Sequence, residues 1–278
     1  NPAVRDHLFQ AIRMWVRDFG IDGLRLDVAD CLELDFLRDL SAFCRALRPD
    51  FWLMGEVVHG DYRKWVNPET LDSVTNYECY KGLYSSHVDT NYFEIAYAFK
   101  RQFGDGGMYQ NLPLYAFADN HDVNRVASSL TNPAHLYPLY GLLFTMPGVP
   151  SIYYGSEWGI EGRTNGSDAP LRPALNRGDV ERNSPNRDLA QAIRRLAAVR
   201  HQIPALRHGD YQQLVVKHEQ FAFARQIPGQ RVIVAVNAAN HPAVIDLPGR
   251  MADVLNGGER FSGTVTVPPC WLRVLMVE

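Results

Sequence analysis

Residues 21–27 read IDGLRLD, an apolar run that stops on an aspartate, and residues 52–56 repeat the pattern as WLMGE. Between the two runs, apolar residues at helical spacing fill 34–47 and Pro49 closes the segment. A strand, a helix and a second strand in this order form a βαβ unit, whose two strands run parallel. Both runs then bring their acids, Asp27 and Glu56, to the carboxyl edge of the sheet, where parallel α/β proteins place their chemistry.

The same alternation of strand and helix continues to about residue 205, which predicts an α/β fold with a parallel sheet. A first helix begins at Asn1-Pro2 and ends at Gly20, because an N-cap residue followed by proline starts a helix and glycine stops one. Beyond residue 205 short strands are separated by turn residues without a long helix, which predicts a small antiparallel β domain. The predicted domains are therefore residues 1–205 and 206–278. The remaining predicted strands lie within 71–79, 112–122 and 149–155, and the remaining helices span about 92–103, 136–144 and 188–201.

Composition excludes several classes of partner. The net charge of -3 gives no basic footprint for nucleic acid. No apolar run reaches the roughly 18 residues of a membrane helix, so no membrane partner is predicted. The four cysteines form no C-x-x-C pair and predict neither a zinc site nor a disulfide scaffold, but buried or half-buried thiols. A cytoplasmic location is therefore favoured over secretion.

The two strand-end acids suit a retaining glycosidase. Side chains alternate along a strand, so Arg25 and Asp27 share one face, and the arginine favours an ionised aspartate that can act as a nucleophile. Neighbouring strands lie about 4.8 Å apart, near the roughly 5–5.5 Å that separates the carboxyl groups of such enzymes. Glu56 is then the proton donor, and Asp122 is left to hold substrate hydroxyls. The alternative is that each acid is a helix cap or a solvated strand end.

Four stretches together resemble the signature regions of the α-amylase superfamily, glycoside hydrolase family 13. They are GLRLDVAD, GEVVHGD, FADNHD and MPGVPSIYYGSEWGIEG, and they occur in the family's order. The subgroup they are most similar to is the cyclomaltodextrinase-like enzymes. The resemblance implies strands four to eight of a (β/α)8 TIM barrel over residues 1–205, followed by a small antiparallel β-sandwich over residues 206–278.

The resemblance also implies roles for particular residues. Asp27 is the nucleophile, Glu56 the acid/base and Asp122 the transition-state stabiliser. Arg25 orients Asp27, and His121 hydrogen-bonds the sugar that is cleaved.

Further substrate contacts are expected from four other residues. Asp168 and Arg172 match a pair that holds a more distant sugar, although a surface ion pair is equally consistent with their spacing. His59 could reach the leaving-group side or be a solvated loop histidine, and Trp158 is the expected sugar platform unless it packs in the core.

Two departures from the family pattern affect the prediction. Asp30 and Cys31 stand where many family amylases carry Lys-His, so contacts on the leaving-group side differ. The family's first region is missing, and five candidate strands cannot close a barrel that needs eight. A second chain, an upstream segment or a neighbouring copy is therefore expected to complete it, and the isolated fragment could be inactive. No metal or cofactor is required by these residues, and the family's usual calcium ligands would lie on the missing strands.

The predicted function is retaining hydrolysis of α-1,4-glucans, such as maltodextrin, cyclomaltodextrin or starch, through a covalent glycosyl-aspartate. One alternative is a transglycosylase or isomerase on the same scaffold, in which a sugar hydroxyl intercepts the intermediate. The other is a non-catalytic relative that uses the barrel for protein association.

Overall fold

The computed structural model describes all residues from 1 to 278 and divides them into two compact units. The first unit comprises Asn1–Tyr77 together with Leu112–Tyr115. The second comprises Glu78–Asn111 together with Ala116–Glu278. The predicted boundary at residue 205 marks the change from alternating strands and helices to strands alone, and it does not coincide with the boundaries of these units. The two predicted domains stay a prediction.

The first unit begins with a helix that its sequence caps at both ends. In α1 (Pro2–Met14) the Asn1 side chain accepts a hydrogen bond from the Ala3 amide. A π-helical turn, Trp15–Phe19, continues α1, and Gly20 ends it in the left-handed conformation at φ 62°. Glycine adopts this conformation without the Cβ clash that other residues meet, so the predicted stop is confirmed.

A parallel three-stranded sheet follows in the same unit. Its strands are β1 (Gly23–Leu26), β2 (Trp52–Gly55) and β3 (Ser73–Val74), with α2 (Leu34–Leu47) between the first two. The strand order is β1-β2-β3, and Arg25 faces Met54 across the first pair. The predicted βαβ unit is therefore confirmed. The strand predicted over 71–79 is much shorter, because a helix begins at Tyr77.

The second unit carries the remaining helices and strands, except for Tyr77 at the start of the next helix and Tyr115 at the start of the next strand, which belong to the first unit. Its helices are α3 (Tyr77–Val88), α4 (Phe93–Phe103), α5 (Val126–Ser129), α6 (Leu136–Thr145), α7 (Arg177–Asn183), α8 (Leu189–Gln202) and α9 (Pro204–His208). A pair of short strands, β4 (Tyr115–Phe117) and β5 (Val149–Ser151), forms a second sheet.

The last quarter of the chain is an antiparallel sheet of six strands in the order β10-β9-β11-β8-β7-β6. The strands are β6 (Asp210–Val216), β7 (Gln220–Ile227), β8 (Gln230–Asn237), β9 (Ala243–Asp253), β10 (Arg260–Val267) and β11 (Trp271–Val277). Fully buried aliphatic residues such as Ile233, Val265 and Leu275 pack on one side of it. The predicted antiparallel sheet is thus confirmed, and its assignment to a separate domain stays a prediction.

Helix α6 is buried all round and packs against α8, β8 and β11. Two buried arginines satisfy the carbonyls at its C-terminal end. Arg200 donates to the carbonyls of Phe144 and Met146 at 2.9 and 3.1 Å, and Arg225 donates to that of Thr145 at 2.9 Å. Burial lowers the pKa of Arg200 to about 10 and that of Arg225 to about 9. Both groups therefore remain charged at neutral pH.

Candidate active site

One guanidinium holds both acids of the first unit. Arg25, on β1, donates through Nη1 to Oδ1 of Asp27 and through Nη2 to Oε2 of Glu56, the latter at 2.8 Å. A guanidinium presents its donors in a rigid planar fork. The two bonded carboxylate oxygens therefore lie within about 7–8 Å of each other. The structure thus brings together three of the residues that the sequence predicts for the active site.

Backbone hydrogen bonds continue to pair the two segments that carry Asp27 and Glu56 after β1 and β2 have ended. The Glu56 amide donates to the Leu26 carbonyl, and the Ala29 amide donates to the Glu56 carbonyl, both at 2.8 Å. Between these bonds Val28 adopts φ 45°, a left-handed conformation that is strained for a β-branched residue. The chain therefore turns sharply directly after Asp27. This turn places Asp27 at the carboxyl end of β1.

The environments of the two carboxylates differ strongly. The Asp27 side chain is 71% exposed, whereas that of Glu56 is only 12% exposed. Besides Arg25, the Val28 amide points at Glu56 Oε2 and the Tyr77 hydroxyl at Oε1, each at 3.4 Å. An open acid and a sheltered one joined by a single cation suit two different chemical tasks.

In the second unit four of the other predicted residues come together, His121 and Asp122 in the loop after β4 and Asp168 and Arg172 in the segment after β5. Asp122 accepts from Nη2 of Arg172 at 2.8 Å, and its other oxygen lies 3.0 Å from Nε2 of His121. Arg172 also donates through Nε to the His121 carbonyl at 3.0 Å and reaches Asp168 at 3.4 Å. The partner that lies nearer to Arg172 is thus Asp122, and the i,i+4 pair with Asp168 is the longer contact.

The loop that carries Asp122 is fixed by its own side chains. Asn120 Oδ1 accepts from the amides of Asp122 and Val123 at 2.8 and 3.2 Å, which forms a tight turn. Buried Asp119 accepts from the Val126 amide at 2.9 Å and from the Ser156 hydroxyl at 2.8 Å. Burial raises the pKa of the Asp119 carboxyl. The loop is therefore anchored on both sides of His121 and Asp122.

Arg125 is a buried residue of this region that the sequence does not predict as part of the site. It is fully buried, and its Nε and Nη2 both donate to the Leu171 carbonyl, at 3.1 and 2.8 Å. Its Nη1 donates to the Tyr154 carbonyl at 2.7 Å and lies 3.0 Å from the Ser156 hydroxyl. Arg125 therefore ties the loop after β4 to the loop after β5 and to the segment before Arg172.

Nothing in the sequence distinguishes Arg125 from a surface arginine, because its acceptors are carbonyl groups, which every residue carries. The guanidinium also lies over the ring of Tyr153, 4.0 Å from its centroid. The Tyr153 ring in turn lies 6.4 Å from that of His121. Tyr153 is thus the aromatic residue that the structure places beside the predicted sugar-binding histidine.

The other predicted contacts lie elsewhere in their units. His59 is exposed in the segment after β2. Trp158 is half-buried in a short turn after β5, where its carbonyl accepts from the Ser184 hydroxyl at 2.6 Å. Its ring lines a hollow together with residues of α7 and α8. The substrate-binding roles of His59 and Trp158 stay predictions.

No three His, Cys, Asp or Glu side chains among residues 1–278 come close enough to hold a metal ion. No helix of the structure combines the length and the apolar character that crossing a bilayer requires. All four cysteines are free. Cys44 and Cys79 are buried and Cys270 is half-buried, as predicted, whereas Cys31 is exposed.

Residues 1–194 match the family model described as the α-amylase catalytic domain. This match covers more than half of the chain, and the protein therefore belongs to the α-amylase family. The resemblance recognised in the four sequence motifs is confirmed.

The chain is also similar to individual proteins whose names agree with this family. A cyclomaltodextrinase from Geobacillus thermopakistaniensis is 28% identical over 100% of this chain and 48% of its own length. Neopullulanase 2 from Thermoactinomyces vulgaris is 29% identical over 85% of this chain and 40% of its own length. The crystal structure of an Anoxybacillus α-amylase superposes with a TM-score of 0.85 and 25% identity, covering 100% of this chain and 64% of that one. The chain thus spans about half the length of the curated relatives it matches.

Proposed function

We propose that this protein is a retaining glycoside hydrolase that acts on α-1,4-glucans. The observation that carries the proposal is the bridge from Arg25 to both Asp27 and Glu56. Two carboxylates at the ends of adjacent parallel strands, joined by one guanidinium, can act at one sugar carbon, and the family resemblance implies a double displacement for them. The names of the relatives, cyclomaltodextrinase and neopullulanase, support an α-glucan as the substrate class.

In the first step of the proposed reaction, Glu56 gives its proton to the glycosidic oxygen while Asp27 attacks the anomeric carbon. The bond to the leaving group breaks, and a glycosyl ester forms on Asp27. In the second step Glu56 takes a proton from water, whose oxygen displaces Asp27 at the same carbon. Two inversions restore the original α configuration.

The exposure of the two acids agrees with these roles. Asp27 is open to an incoming sugar, and its contact with Arg25 holds the carboxylate in one orientation. Glu56 is sheltered and has the Tyr77 hydroxyl near one oxygen, which restricts the orientation of its carboxyl group. The proposed role of Asp122 is to bond substrate hydroxyls as the sugar ring flattens, with Arg172 and His121 holding its carboxylate.

We further propose the architecture that the family implies, namely strands four to eight of a (β/α)8 barrel followed by a β-sandwich. The parallel order of β1, β2 and β3 and the six-stranded antiparallel sheet support it. A further polypeptide segment or copy that supplies the first three strands belongs to the same proposal, and so does any calcium bound there. The predicted reducing compartment is supported by four free thiols, one of them exposed.

Chemical rescue tests the assignment of the two acids. In Asp27→Ala, azide should restore turnover and give a β-glycosyl azide, because azide then attacks once from the side of the lost nucleophile. In Glu56→Ala, azide should give an α-glycosyl azide, because it enters in the second displacement. Asp35→Asn, an exposed aspartate of α2 that pairs with Arg38, is the matched control and should keep full activity.

The first products of the wild-type protein provide the second part of the test. Proton NMR of maltotriose digestion should show α-configured sugars before mutarotation. A β-configured first product, or azide products of the opposite configuration, would contradict the proposed roles. Products longer than maltotriose would identify transfer to a sugar hydroxyl as the main reaction.

A further inference from the structure

The main chain around Glu56 is held from both neighbouring strands. On the side of β1, the Glu56 amide donates to the Leu26 carbonyl and the Glu56 carbonyl accepts from the Ala29 amide. On the side of β3, the buried Thr75 hydroxyl accepts from the Val57 amide and donates to the Val57 carbonyl, each at 2.9 Å. The direction of the carboxyl group therefore depends on the side-chain torsions of Glu56 and on the partners of its two oxygens.

The first of these oxygens, Oε2, faces groups that only donate. It accepts from Nη2 of Arg25 at 2.8 Å and from the Val28 amide at 3.4 Å. A guanidinium and a backbone amide nitrogen offer no acceptor, so a proton bound to Oε2 would point at another N–H group. The proton that Glu56 carries before the first displacement therefore belongs on Oε1.

The second oxygen, Oε1, faces a hydroxyl group that suits both protonation states. The Tyr77 hydroxyl donates toward it at 3.4 Å. A protonated carboxyl oxygen keeps a lone pair, so the phenol can donate to Oε1 whether Glu56 is a carboxylic acid or a carboxylate. Hydrogen bonds of catalytic groups are often long before the substrate binds and shorten in the complex. Tyr77 and Arg25 thus hold the two oxygens of Glu56 from different directions.

The main chain that leads to Tyr77 is itself fixed. Tyr77 is the half-buried first residue of α3 and follows β3 after two residues. The Thr75 amide donates to the Gly55 carbonyl at 3.1 Å, and the Asn76 amide donates to the Tyr115 carbonyl at 2.8 Å. The first of these bonds joins Tyr77 to the strand that ends at Glu56. The phenol ring therefore projects from a backbone that is in register with the acid.

We propose that Glu56 donates its proton from Oε1 and that Tyr77 is a positioning residue for this transfer. The proposal rests on the proposed hydrolytic function, of which it specifies one step. When the bond from the anomeric carbon to the leaving group breaks, its electron pair passes to the glycosidic oxygen, which takes the proton from Oε1. Glu56 is left as a carboxylate, and in the second displacement Oε1 takes a proton from the attacking water. The leaving group and this water therefore lie on the Tyr77 side of the carboxyl group, away from Arg25.

Tyr77→Phe tests the proposal, because it removes the hydroxyl and keeps the ring. The matched control is Tyr97→Phe, since Tyr97 is exposed on α4. On maltotriose, whose leaving sugar needs the proton, kcat/KM should fall about tenfold in Tyr77→Phe and stay unchanged in the control. On α-maltosyl fluoride, whose fluoride departs without a proton, kcat/KM should stay within about twofold of wild type. Its kcat should nevertheless fall, and KM with it, because the second displacement still uses Oε1 as the base.

The same substitution in the Glu56→Gln background separates positioning from a structural role. Tyr77→Phe should there leave kcat on α-maltosyl fluoride unchanged, because a residue that acts through the carboxyl group has no effect once that group is gone. A further loss of kcat in this background would overturn the proposal, and so would equal losses of kcat/KM on the two substrates. Unchanged kcat/KM of Tyr77→Phe on maltotriose, beside normal turnover by the wild-type protein, would refute the role of Tyr77 alone. A wild-type protein that cleaves neither substrate would refute the proposed function and this inference together.

Discussion

Replacing Arg125 with methionine removes a buried guanidinium that joins three loops of the second unit. The substitution keeps a long apolar side chain but deprives the carbonyls of Leu171 and Tyr154 of their donors. It also removes the cation over Tyr153 and the positive charge that lowers the pKa of Asp119. The variant therefore tests whether this group organises the loops around Asp122.

The magnitude follows from the contacts that are lost. The buried Leu171 carbonyl, the partly buried Tyr154 carbonyl and the Ser156 hydroxyl lose a charged partner, and each buried group costs about 1–3 kcal/mol when left unsatisfied. The cation–π contact adds about 1 kcal/mol, whereas the guanidinium's own desolvation is relieved. We expect the free energy of unfolding to fall by about 3–5 kcal/mol. The pKa of Asp119 should rise further.

Urea denaturation and steady-state kinetics on maltotriose check this expectation. Because Leu171 directly precedes Arg172, release of its carbonyl loosens the contact with Asp122, and kcat should fall by about 10- to 100-fold below the melting transition. Arg125→Lys keeps the charge but has fewer N–H donors than the guanidinium. Its free energy of unfolding should therefore lie between those of Arg125→Met and the wild-type protein.

Arg163→Met is the matched control, because Arg163 is an exposed arginine whose main contact is the Ser128 carbonyl. It should change the free energy of unfolding by less than about 1 kcal/mol. An Arg125→Met protein with unfolding free energy within about 1 kcal/mol of wild type and unchanged kcat would refute the reasoning.

Three further predictions concern other parts of the molecule. Burial lowers the pKa of His87 to about 3, so between that value and about 6.5 only the unfolded chain takes up this proton, and unfolding becomes easier as the pH falls. The wild-type protein should therefore lose about 2–3 kcal/mol more unfolding free energy between pH 7.5 and pH 4.5 than His87→Gln does, as measured by urea denaturation at both pH values. An equal loss in the two proteins would contradict this. A Cβ on Gly55 would lie 2.6 Å from Leu71 and 2.7 Å from Ala29, so thermal melting of Gly55→Ala should show a loss of about 1–3 kcal/mol, and an unchanged melting temperature would contradict the close packing. Arg25→Lys cannot bridge two carboxylates as a fork does, so kcat on maltotriose should fall by about 100-fold with little change in KM, and a purely KM effect would contradict the positioning role.

The local elements near the first two acids could be predicted because they depend on short-range patterns. Apolar runs at 24–26 and 52–54 with a helical segment between them leave few arrangements other than a parallel pair. The cap at Asn1 and the stop at Gly20 likewise depend on single residues whose backbone preferences are strong. The four sequence motifs then identified the family correctly.

Other features could not be predicted because they depend on tertiary contacts. The apolar residues of 77–88 show only a weak helical pattern, so the sequence does not predict α3, and the strand predicted over 71–79 extends into it. The sequence does not distinguish Arg125 and Arg200 from surface arginines. Both donate to backbone carbonyls, and these acceptors are present at every residue. Cys31 is exposed although free cysteines are usually buried.

The central claim is that Asp27 becomes covalently attached to the sugar. Incubation with 5-fluoro-α-D-glucosyl fluoride, followed by proteolysis and mass spectrometry, tests it most directly, because the fluorine slows release of the glycosyl ester. The account predicts one added fluoroglucosyl group on the peptide that contains Asp27, and none in Asp27→Asn. A label on the peptide of Glu56 instead, or rapid turnover of the reagent with no labelled peptide at all, would contradict it.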